Sequence, residues 1–135
     1  MTDLTRDERG QSVTIFVLLV TAALILTAGL VVDGGQQVSA ASRAEAAAAG
    51  AARAAENAVA TQALAGNEST GSAIRAARTY LAGSEVAGSV SITSGVVTVR
   101  TEASAETIFL SVLGITRVHA HGFAEANLVA TGEVR

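Results

Sequence analysis

The chain predicts an α+β protein carried on a single membrane-spanning helix. Three observations predict it. Gln11 to Val32 is one uncharged apolar stretch. Fifteen of the 26 residues from Ala40 to Ala65 are Ala, the strongest helix former. The last third alternates between apolar and polar residues, which is the period of half-buried strands.

The apolar stretch decides how the rest is read. Val13 to Val32 is 20 residues, which as a helix spans roughly 30 Å, the hydrocarbon thickness of a bilayer. A secretory signal would have an apolar region of about 7–15 residues behind a clearly positive start. Here the run is longer, and the leader MTDLTRDERG offsets Arg6 and Arg9 with Asp3, Asp7 and Glu8. Val38-Ser39-Ala40 is the one weak cleavage site for the signal reading. Orientation follows Arg counting. Arg6, Arg9 and the terminal amine precede the span, and nothing basic follows it until Arg43, so the amino end is expected in the cytoplasm. Within the span Ala23 and Thr27 form a small-x-x-x-small pair, and Ala22 and Gly29 lie on roughly one face. Small residues let helices approach closely in lipid, so these four are the candidate helix-packing positions.

Asp33-Gly34-Gly35 marks the membrane exit. Two adjacent glycines each cost about 1 kcal/mol in a helix, so a break is expected there. The Ala-rich helix that follows has no Leu or Ile stripe and reads equally as a spacer or as a shaft that packs on other helices. Gly66 to Gly71 is a loop by its turn residues. Ser72 is placed to cap a second helix through Leu81, with Ile74, Ala77 and Leu81 facing inward and Gly83 ending it. Ser89–Thr93 and Val97–Glu102 alternate around a Ser94-Gly95 turn, a hairpin signature. Glu106 to Gly114 is expected to form a short apolar helix laying Phe109, Leu110 and Leu113 over the sheet. Arg117 to Val129 alternates again, with Val118, Ala120, Gly122, Ala124, Ala126 and Leu128 on one face. The layout is an antiparallel sheet of three to four strands backed by short helices.

Composition excludes several function classes. The chain has 135 residues, a net charge of −3 and no Cys, so disulfides and thiolate metal sites are out. All nine basic residues are Arg and they are scattered, unlike the clustered basic face that nucleic acid requires. Beyond the anchor the aromatics are Tyr80, Phe109 and Phe123, which makes for a thin core. His119 and His121 share one face of a strand, but no third ligand is fixed by spacing, so they read as solvated rather than as a metal site. No nucleophile, acid–base pair or phosphate loop stands out. The expectation is therefore a non-enzyme with no catalytic, cofactor or metal residues.

The order of features carries a resemblance. A charged leader ends in Arg9-Gly10, and the apolar helix starts at once with Gln11-Ser12-Val13-Thr14 and closes with GLVVDGG. Ser42-Arg43-Ala44-Glu45 lies in the Ala-rich stretch, and Ile108-Phe109-Leu110-Ser111-Val112-Leu113-Gly114-Ile115 precedes the last strand. This resembles the TadE/TadG-like proteins of tight-adherence (Flp-type) pilus systems, of the actinobacterial type. The resemblance implies a pilin-like minor component of a pilus assembly machine at the cytoplasmic membrane, with membrane and other pilus proteins as partners and self-association as a further option. It marks Gly10 and Gln11 as the prepilin-type processing site. Pilin-type members carry Glu at the fifth residue after that glycine, and here that residue is Ile15. The departure favours members that stay anchored. The implied organisation is a cytoplasmic leader (1–10), a transmembrane helix (11–33), an Ala-rich helix after the glycines (34–66) and a small extracytoplasmic α+β domain (67–135). The alternative is a secreted or cell-surface ligand-binding module whose N-terminus is a cleaved signal.

Overall fold

The computed structural model describes residues 8–66 and 70–128. Most of the leader, the Asn67-Glu68-Ser69 triplet inside the expected loop, and the chain after Leu128 lie outside the described residues. Two helices and three strands run in the order α1 (Glu8–Leu64), α2 (Thr70–Gly83), β1 (Ala87–Thr93), β2 (Val96–Glu106) and β3 (Arg117–Asn127). A four-residue 3-10 turn, Leu110–Leu113, lies between β2 and β3. The fold is α+β, as the sequence predicts.

Helix α1 is 57 residues long, about 85 Å at the usual rise. It runs unbroken through Gly34 and Gly35, against the expected break. A side chain at either glycine would meet nothing within 4 Å, so neither is there for a close contact. The helix survives because it is held on both sides of the pair, by Asp33 (2% exposed) and by fully buried Ala40.

The sheet is an antiparallel meander in the order β1-β2-β3. Ser94 and Gly95 both have positive φ (51° and 79°), the type I′ geometry whose twist suits a two-residue hairpin. Val99 sits opposite Val90 on one side and Ala124 on the other. One sheet face packs on the Ala-rich half of α1, and α2 lies against α1 and β1. Ala47, Ala48, Ala51, Ala52 and Ala55 of α1, Ala73, Ala77 and Leu81 of α2, and Val97, Val99 and Ala126 of the sheet form one cluster. Ala40 and Ala44 meet Ala103, Ala105 and Ala120 in a second. The Ala-rich helix is thus one wall of the core rather than a spacer.

The core is made of small residues, and Val97 and Val99 are the largest fully buried side chains. It compensates by close approach. A Cβ on Gly122 would lie 2.3 Å from the carbonyl of Ala44, so helix and strand touch backbone to backbone there. The Thr101 hydroxyl, on the neighbouring strand, donates to that same Ala44 carbonyl at 2.6 Å. Two further expectations are corrected. Ser72 lies inside α2, which begins at Thr70, so it is not the cap. The Glu106–Gly114 segment does not cover the sheet, and Leu113 is 76% exposed. The sheet needs no such cover, since α1 and α2 already occupy its apolar face.

Candidate functional site

The first half of α1 is bare. From Gln11 to Val32 every residue but Gly29 is exposed, and the segment is long and apolar enough to cross a membrane. Where this stretch ends, the loop between β2 and β3 returns to the helix. Asp33, the sole ionisable residue between Arg9 and Arg43, points into it. Its Oδ1 accepts from the amide N–H of Ile108 at 2.8 Å, and its Oδ2 from those of Phe109 at 3.1 Å and Leu110 at 2.7 Å. These are consecutive donors entering the 3-10 turn, where N–H groups have no partner within the turn itself. A carboxylate satisfies them together, with bonds stronger than those to a neutral acceptor.

One helical turn earlier, the Phe109 ring lies on Gly29. A Cβ there would sit 2.5 Å from the ring, so any larger residue would push Phe109 off the helix. Gly29 is thereby used within the chain. Among the other predicted packing positions, Ala22, Ala23 and Thr27 stay exposed on the bare half. The Thr27 hydroxyl donates back to the Ala23 carbonyl at 2.8 Å, which satisfies it without a second helix. The Gly10–Gln11 bond lies within the first turn of α1.

The loop closes on itself as well. The Thr107 N–H donates to the Thr116 carbonyl at 3.1 Å, and the Thr107 hydroxyl donates to the Ile115 carbonyl. Gly114 ends the 3-10 turn in the left-handed region, with φ of 88°. At the neck the Arg117 guanidinium faces Glu106 at 3.6 Å.

The outward sheet face is polar. His119 and His121 stand on it, as their alternation predicts, and His119 Nδ1 lies 2.8 Å from Glu102. Arg100 stacks over the Phe123 ring at 5.5 Å. Among the described residues no group of three or more His, Asp or Glu side chains is arranged to hold a metal ion. The Asp33 contact is what sequence reasoning missed. Asp33 was legible as an exit marker, but nothing in the spacing joins it to amides 75 or more residues away.

Residues 10–67 match a family model described as Flp pilus-assembly TadE/G-like. The match covers the leader junction, the apolar stretch and the Ala-rich helix. No curated protein and no solved structure matches the chain.

Proposed function

We propose, from the premise that residues 10–67 are a TadE/G-like segment of the Flp pilus-assembly type, that this chain is a non-enzymatic, pilin-like minor component of a pilus assembly machine. A role connected with pilus assembly is what the family match itself supports. The finer reading rests on one observation. A single helix offers a bare apolar half to a membrane and builds the core of a small α+β head with its other half. In this reading α1 crosses the cytoplasmic membrane once, with the amino end inside and the head outside. The head is presented rigidly to other pilus components. Ala22, Ala23 and Thr27 serve lateral packing in the bilayer, against those components or a second copy. The Gly10–Gln11 bond stays uncut, in keeping with Ile15 at the position of the pilin Glu.

Mass spectrometry of the protein from membranes tests this. The expected N-terminus is Met1. Gln11 would indicate prepilin-type processing, and a terminus near Ala41 would indicate a secreted module and sink the anchor reading. The fold counts against that last outcome, because the cut would remove Asp33 and Ala40 from beneath the head. Packing is tested by Ala23→Leu in a membrane two-hybrid assay against a second copy of the chain and against Flp pilus-assembly proteins. Association should fall while insertion persists, and unchanged association would remove the packing face.

A further inference from the structure

We propose that the loop 107–116 is a second membrane contact, seated on the lipid surface beside α1. This rests on the reading that α1 spans the membrane. Four large apolar side chains on this short loop face outward: Ile108 (57% exposed), Val112 (86%), Leu113 (76%) and Ile115 (49%). No ionisable residue lies between Glu106 and Arg117, and those two form an ion pair at the neck. An uncharged tip above a charged collar is the pattern of a segment that enters the interface and stops.

Position points the same way. Phe109 lies on Gly29, and the amides of Ile108 to Leu110 lie on Asp33. The loop therefore sits beside the last turn of the apolar stretch rather than above it. Gly29 to Asp33 is about 6 Å of helix, comparable to the roughly 5–10 Å to which interfacial apolar groups sink. The outward apolar surface of the loop is thus continuous with that of the anchor.

The backbone is prepared for lipid. Irregular backbone is tolerated at the membrane when its polar groups are paired within the protein. Here the N–H groups of Ile108, Phe109 and Leu110 bind Asp33. Those of Thr107, Val112, Gly114 and Ile115 bind carbonyls of the same loop. The hydroxyls of Thr107 and Ser111 donate to the carbonyls of Ile115 and Ile108. Seven backbone N–H groups of this ten-residue loop are thus paired within the protein, more than a solvated loop requires.

The absence of Cys allows a direct test with the full chain in phosphatidylcholine–phosphatidylglycerol vesicles. Leu24→Cys, Leu113→Cys and Ser94→Cys are each labelled with an environment-sensitive fluorophore. Ser94, in the hairpin turn, is at the far end of β2 from the loop. Doxyl-labelled lipid should quench positions 24 and 113, with position 113 quenched roughly threefold more than 94 and most by a shallow doxyl group. Aqueous iodide should quench position 94 alone. Position 113 behaving like 94, or shielded from both quenchers as by a second copy, overturns the proposal while quenching at 24 leaves the anchor intact. Loss of lipid quenching at 24 overturns both.

Discussion

Gly122→Ala is a small change that should unseat the head. The added Cβ would lie 2.3 Å from the Ala44 carbonyl and 2.5 Å from the Thr101 Oγ1. Ordinary contact begins near 3.4 Å, so helix and strand must separate by about 1 Å. The clash is with helix backbone, which cannot turn aside as a side chain can. Overpacking of this kind costs about 1–3 kcal/mol. Separation also stretches the 2.6 Å bond from Thr101 to Ala44, removing about 1 kcal/mol more. The sum, about 2–4 kcal/mol, corresponds to a fall of about 10–25 °C in Tm for a head of this size. The measurement is thermal unfolding of the full chain in detergent micelles, followed by circular dichroism. Gly34→Ala is the matched control, since a Cβ there meets nothing. It should leave Tm unchanged or raise it, by the roughly 0.5–1 kcal/mol that separates Gly from Ala in a helix. If Gly122→Ala melts within two or three degrees of the parent, the backbone contact at Ala44 does not organise the core and the reasoning fails.

Three further outcomes follow from the loop and the sheet. Asp33→Ala should raise amide hydrogen exchange at Ile108, Phe109 and Leu110 by about tenfold or more, with Asp33→Asn between it and the parent. Equal exchange in all three proteins would mean that the carboxylate does not hold the loop. Gly29→Leu should displace Phe109, seen as loss of cross-relaxation between its ring protons and α1. His119→Ala should change stability by less than about 0.5 kcal/mol, because its contact with Glu102 is half exposed on both sides. A stoichiometric metal lost in that variant would contradict the solvated reading.

Elements whose local pattern matches their environment were legible in the sequence. The β3 face alternates without interruption, and the structure turns Ala120, Gly122 and Ala126 inward as that alternation requires. The Ser94-Gly95 hairpin was legible because only certain residues accept two successive positive φ angles. The packing face of α1 was not. Ala40, Ala44, Ala47, Ala51 and Ala55 point inward. Their outward neighbours include further Ala, so no hydropathy contrast marks the stripe. The glycine pair misled for a related reason, since local propensity disfavours a helix that tertiary contacts on either side impose. The loop was not legible either, because its apolar residues carry no local sign of which apolar surface they lie against. The structure places them beside the apolar half of α1, through a contact with Asp33 that lies far away in sequence.

The unbroken helix has a mechanical consequence. With no hinge at Gly34 and Gly35, the head cannot swivel on its stalk, and in the proposed membrane-spanning arrangement any lean of the apolar half becomes a displacement of the head. From Asp33 to Leu64 the helix extends about 47 Å, so a tilt of about 20°, ordinary for a membrane helix, sweeps its far end sideways by about 16 Å. In the proposed single-span arrangement, bilayer thickness, acting on the apolar segment, would thereby steer where the polar sheet face points.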